Sequence, residues 1–152
     1  MRRSLAIIGV MAALAVAVGM ASISSAGAGP KRFTVIEHAT TDTVIDTGAV
    51  GDSTGDLLTF HNELFDVTDS SVVGSDQGQC VRIDPVAGTW ECAFTNVLEG
   101  GQLMVEGPFH DTGESLFAIT GGTGSYNGSR GTMRLLAGPS ANEFTFVFRV
   151  IG

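Results

Sequence analysis

Basic residues are scarce in this chain. Lys and Arg number 8 against 16 Asp and Glu, and lysine occurs once, at Lys31. A net charge of −8 repels phosphate, which excludes a nucleic-acid binder working through a basic face. Within 29–152 helical stripes are missing as well, since no stretch of twelve residues there repeats its apolar positions at a helical period. With 152 residues the chain has room for one domain and none for a large α/β enzyme carrying its own cofactor domain. What it does have is 43% hydrophobic residues and 9 Phe, enough apolar surface to exclude a disordered chain.

Residues 1–28 carry the three parts of a secretory signal. Arg2 and Arg3 form a positive start, residues 5–20 an uncharged apolar run, and Ala26-Gly27-Ala28 a small-residue cleavage site. The run is shorter than the ~20 residues a helix needs to cross a bilayer. The expectation is therefore a secreted protein with a cleaved signal peptide at 1–28, a single domain at 29–152, and no membrane association after cleavage. Losing Arg2 and Arg3 takes the net charge from −8 to −10. An acidic exported domain of this kind stays soluble and avoids anionic surfaces.

Within 29–152 the apolar period is two. Phe144, Phe146, Phe148 and Val150 alternate with Glu143, Thr145, Val147 and Arg149, the pattern of a half-buried strand. Similar runs lie at 33–39, 57–65, 72–83, 89–98, 102–109, 116–120 and 131–136, punctuated by turn sequences such as Glu99-Gly100-Gly101 and Gly138-Pro139. Short strands at this spacing predict an all-β sandwich or barrel. The least patterned stretch is 40–55, a loop with one apolar island at Val44-Ile45.

Folding 89–98 back on 72–83 about Val86 sets Cys80 opposite Cys92 and Arg82 opposite Trp90. Directly opposed Cβ atoms lie about 4.5–5.5 Å apart, near what a disulfide requires. In an exported protein this pair suggests a bridge, and two free thiols lining a cavity are the alternative. Gly51-Asp52-Ser53-Thr54-Gly55 has the spacing of a nucleophile elbow but lacks the strand-to-helix context that would aim the serine, so it reads as a loop. Gly121 to Gly128 lacks the last glycine of a dinucleotide fingerprint and reads as a tight connection using positive φ. Asn127-Gly128-Ser129 is a formal glycosylation sequon.

No metal site is expected. His38, His61 and His110 lie on separate segments, and Asp42, Asp46, Asp52, Asp56, Asp66 and Asp69 do not follow calcium-loop spacing. Glu37 is in phase with Phe33 and Val35, so it is an interior carboxylate if that face points inward. Ile36 leaves the opposite orientation open.

Several segments resemble a known family. Gly55-Asp56-Leu57-Leu58-Thr59-Phe60-His61-Asn62-Glu63-Leu64-Phe65 resembles the GDL-x-PF-x-N-x-LY stretch of plant allene oxide cyclases. Gly78-Gln79-Cys80-Val81 resembles their G-x-C-V, Val105-Glu106-Gly107-Pro108 their VQGP, and residues 116–124 their FLAITGG-x-G. Tyr126, Gly128, Arg130 and Gly131 are similar to the matching positions of dirigent proteins. These motifs span 55–134 in the family's order.

The resemblance implies a single eight-stranded antiparallel β-barrel of the allene oxide cyclase/dirigent, calycin-like type, commonly a homotrimer, around an apolar cavity. It implies a cofactor-free protein that binds a small hydrophobic molecule. Such a barrel steers cyclisation or coupling of a reactive lipid or phenolic intermediate, as an isomerase if it is an enzyme, by orientation and exclusion of water. Carried over residue by residue, Glu37 stabilises developing positive charge, Asn62 helps hold a bound water, and Cys80 is the pocket cysteine. Trp90 then lies beside the cation, with Phe60 and Phe94 as further walls. Three departures stand out. Ala39 replaces a family asparagine, Cys92 has no counterpart, and Arg82 brings a charge near the cavity unless Asp84 or another acid pairs with it. A non-catalytic carrier and a structural barrel packed with its own side chains are the other readings.

Overall fold

A computed structural model describes residues 29–152. The proposed signal peptide, 1–28, lies outside the described residues. Nine strands follow in chain order: β1 Lys31–His38, β2 Thr43–Ile45, β3 Leu57–Phe65, β4 Val72–Asp84, β5 Thr89–Leu98, β6 Gly101–His110, β7 Ser115–Gly122, β8 Arg130–Ala137 and β9 Glu143–Ile151. All pair antiparallel, in the order β1-β9-β8-β7-β6-β5-β4-β3-β2. Pairing of β1 with β3 closes eight of them into a barrel, which leaves only the three-residue β2 at an edge.

Closure uses the edge of β3 in two pieces. β1 takes its second half, from Ile36↔Phe65 to His38↔Glu63, and β2 takes its first, from Thr43↔Thr59 to Ile45↔Leu57. Strand β2 thus corrects the reading of 40–55 as loop alone. Its three residues are too few to show a period of two and are all exposed, so only the vacant edge of β3 gives them a partner.

Side chains alternate in and out as the pleat demands. Val35 and Glu37 point inward on β1, so the orientation left open by Ile36 is settled toward an interior Glu37. Toward the start of β1, Phe33 stacks on Phe148 at 4.7 Å, with Tyr126 beside it. The Gly-rich connection after β7 is a single 3-10 turn at Gly124–Tyr126, where Gly124 has φ of 59°. In the 51–55 loop, Ser53 donates through N and Oγ to buried Asp56, a purely structural use of the elbow-like sequence.

Candidate functional site

A cavity of about 60 Å³ lies inside the barrel, lined chiefly by Phe60, Phe94, Phe109, Phe117, Phe144 and Phe146. The disulfide, Leu58 and Leu135 complete the apolar wall, and Glu37, Asp42 and Asp76 are its acids. Phe94 is the hub, with ring centroids 5.5 Å from Phe60, 5.2 Å from Phe117 and 6.1 Å from Phe146. Gly78, directly opposite on β4, makes room for it, since a Cβ there would sit 2.3 Å from the Cβ of Phe94. Leu58, Phe60, Phe109 and Phe144 are only half-buried, so the cavity reaches solvent on their side.

The acids are organised by Asn62. Its Nδ2 donates to Glu37 Oε1 and to Asp42 Oδ1, both at 2.8 Å. Its Oδ1 accepts from Thr40 N at 3.1 Å, Thr41 N at 3.0 Å and Thr41 Oγ1 at 3.0 Å. A fully satisfied buried amide of this kind is held rigidly. Asn62 N also donates to Asp76 Oδ1 at 3.3 Å. Asp76 is wholly buried, and its Oδ2 has no donor. Asn96, its cross-strand partner on β5, is equally buried with an unsatisfied Oδ1.

Two acceptors that lack donors call for a proton. Burial, then the neighbouring charge of Glu37, pushes the Asp76 carboxyl up to about 9. Burial also raises Glu37 to about 7, against the opposing pull of its hydrogen bond from Asn62. The two carboxyls are hydrogen-bond neighbours and titrate as a pair. At neutral pH the site therefore holds at least one neutral carboxylic acid beside one partly ionised carboxylate. Exposed Asp42, bonded to Asn62, links that pair to solvent.

Of the residues singled out from sequence, Glu37, Phe60, Phe94 and Cys80 line this cavity, and Asn62 stands behind its acids. The expected bridge is present, since Cys80 is joined to Cys92, its cross-strand partner, and this corrects the pocket-thiol role that the resemblance implies for Cys80. The placement of Trp90 also needs correction. Trp90 faces inward but is not a cavity wall. The guanidinium of Arg82 covers its ring at 4.3 Å, and its Nε1 donates to Asp111 Oδ1 at 2.8 Å.

Arg82 is itself neutralised by Asp52, through bonds of 2.7 and 2.6 Å, and by Asp111 at 2.7 Å, rather than by Asp84. From sequence, Asp76 carries no role, and Asp42 is named only among the acids without calcium-loop spacing. Asp76 shares the parity of Cys80 on β4, four residues upstream, and that parity was its only mark in the sequence.

One closed antiparallel sheet around an acid-bearing aromatic cavity defines a calycin-like barrel. No family model matches the sequence. Solved structures do match. Pyocyanin demethylase superposes with a TM-score of 0.69 at 25% identity, covering 79% of this chain and 99% of that one. A pterocarpan synthase dirigent protein gives 0.67 at 15% identity over 87% and 94%. An exo-specific intermolecular Diels-Alderase gives 0.64 at 14% identity over 82% and 100%. The chain thus has the barrel fold of pyocyanin demethylase, the dirigent protein and the Diels-Alderase, the fold that its allene oxide cyclase-like motifs imply.

Proposed function

We propose that this protein is an exported barrel that binds a small, unsaturated hydrophobic molecule and steers its cyclisation or coupling without a cofactor, as an isomerase-type scaffold. The observation that carries this reading is the buried Glu37–Asp76 pair facing a cavity of phenyl rings. A neutral Asp76 donates a hydrogen bond to a ligand oxygen or nitrogen. An ionised Glu37, held by Asn62, stabilises positive charge as it develops, and the phenyl faces do the same. Apolar walls exclude water and restrict the ligand to few conformers. The matched structures lend support, since their names describe a pterocarpan synthase and a Diels-Alderase.

Charge narrows the ligand class. Three acids and no Lys or Arg line the cavity, and the nearby Arg82 is already neutralised by two carboxylates. A ligand carboxylate is therefore repelled, which argues against a free fatty-acid epoxide, while neutral or cationic aromatic molecules are favoured. The Cys80–Cys92 bridge supports export, because such bonds persist in oxidising compartments. Cleavage after residue 28 and assembly into a homotrimer belong to the same reading, tested by intact mass and light scattering.

Cavity size favours a second reading. About 60 Å³ is small beside the roughly 300–1,000 Å³ of drug-sized sites, as expected for a barrel filled by its own side chains. Entry of a ligand then requires the half-buried Phe60, Phe109 and Phe144 to swing outward.

The deciding experiment generates phenoxy radicals or a conjugated diene–dienophile pair in the presence of the protein and measures the enantiomeric excess of the product. The scaffold reading expects an excess with wild type that falls to racemic with Glu37→Gln. Racemic product from wild type, with no saturable binding of any neutral or cationic aromatic probe, refutes it in favour of the packed barrel.

A further inference from the structure

On the outer face of the barrel, at the seam where it closes, three side chains converge that no part of the cavity chemistry uses. His38 ends β1, and Glu143 begins β9 directly opposite it in the strand pairing. Asp69 comes from the 66–71 turn between β3 and β4, and its Oδ1 lies 2.8 Å from His38 Nε2. One ligand atom from each, a ring nitrogen and two carboxylate oxygens, lie within 4.8 Å of one another. We propose that His38, Asp69 and Glu143 form a site for a divalent transition metal, suited to zinc, that clips the 66–71 turn onto the closing seam.

Charge is the first argument. Two carboxylates are held within 4.8 Å of each other, and among the described residues neither meets a Lys or Arg. Like charges this close repel, and the one basic side chain beside them, His38, is a metal-ligating imidazole. A dication offsets them.

Geometry is the second. Ligand atoms on one tetrahedral zinc, each about 2.0–2.2 Å from the metal, sit roughly 3.4 Å apart, close to the spacing of this set. The imidazole ring is already fixed, stacked on Phe65 at 4.2 Å. Side-chain exposures of 30% for His38 and 37% for Asp69 leave a path for the ion and room for a fourth, water ligand.

Backbone conformation is the third. Asp69, at φ of 54°, is the one non-glycine residue with positive φ among those described. The turn is braced into this shape by Asp66, which accepts from Thr68 N, Thr68 Oγ1, Ser70 N and Ser70 Oγ. A conformation of that kind, held by its surroundings and aiming a carboxylate at an imidazole, is the sort found where a side chain must be presented. One imidazole with two carboxylates suits zinc among the common exported-compartment ions, whereas calcium and magnesium prefer oxygen-only shells. The expectation of no metal rests on three separated histidines and on acids, Asp69 among them, without calcium-loop spacing. One histidine is enough once the fold adds two acids from distant segments.

The test is calorimetric titration of Zn²⁺ into the chelator-treated 29–152 protein, with Mg²⁺ as the comparison ion and Asp69→Asn, Glu143→Gln and His38→Ala as variants. Emission from Trp90 verifies that each variant is folded. The expected result is one Zn²⁺ per chain, little heat with Mg²⁺, and affinity lowered about tenfold or more in each variant, since even the loss of an outer-shell partner costs 10–100-fold. Wild type also gains thermal stability with Zn²⁺, and Asp69→Asn does not. Absence of saturable Zn²⁺ binding, or binding that survives in Asp69→Asn and Glu143→Gln, overturns the proposal.

Discussion

Replacing Asp76 by Asn isolates the proton that the cavity is built around. Asn has the shape of a protonated Asp. Its Oδ1 can accept from the amide of Asn62, and its Nδ2 can donate where the acidic O–H would. In wild type the folded state must bind that proton at neutral pH, about 3 pH units above the ordinary value of 3.8. At about 1.4 kcal/mol per unit, this costs the folded state roughly 4 kcal/mol at pH 7. The cost depends only on the carboxyl remaining protonated at pH 7, since protons taken up at higher pH add nothing there.

Because the folded pKa lies above the unfolded one, the folded state carries the extra proton from about pH 4 upward, and stability falls as pH rises across that window. Asp76→Asn is therefore expected to match wild type at pH 4 and to exceed it by up to about 4 kcal/mol at pH 7. Its remaining pH dependence is that of Glu37, whose pKa burial raises, so stability still falls modestly as pH rises from about 4. Urea unfolding followed by the emission of Trp90, the single tryptophan, at half-unit steps from pH 4 to 9 gives both curves. Equal pH slopes in the two proteins, or a destabilised Asp76→Asn at pH 7, would mean that Asp76 is ionised in the fold and that the proton assignment is wrong.

Other expectations follow from the same geometry. Replacing Cys80 and Cys92 together by Ser should lower stability by roughly 3 kcal/mol in urea, the chain-entropy value for so short a closed loop, and an unchanged midpoint would show that the hairpin alone holds that register. Phe94→Ala removes the ring at the centre of the aromatic cluster and should cost about 3–5 kcal/mol while enlarging the cavity, read as new saturable binding of a small aromatic probe such as indole. Arg82→Leu should cost about 2 kcal/mol and red-shift Trp90 emission, with a smaller loss at 1 M salt because Asp52 and Asp111 are half-exposed.

Much of this molecule was legible because a strand's period is two and its neighbours are local. The alternation of Phe144, Phe146 and Phe148 placed β9, and folding one strand about Val86 gave both Cys80↔Cys92 and Arg82↔Trp90. Strand ends moved by a residue or two, as hydrogen-bond partners rather than composition decide them. Periodicity could not decide which face of β1 turns inward, because Ile36 and Val35 are both apolar. The barrel decided it by pairing β1 with β9 and β3, which buries Val35 and Glu37 together.

By itself the sequence determined an acidic all-β chain, its turns, the register that sets Cys80 opposite Cys92 and the motifs that resemble one barrel group, since these rest on composition and on neighbours within a strand or two. The tertiary structure alone decided the chemistry of the interior. Glu37, Asn62 and Asp76 come from three strands and alter one another's protonation only when the closed sheet removes water from around them. Closure likewise brings His38, Asp69 and Glu143 together on the outside. Charge and proton affinity depend on distance and dielectric, and neither exists in a chain until it has folded.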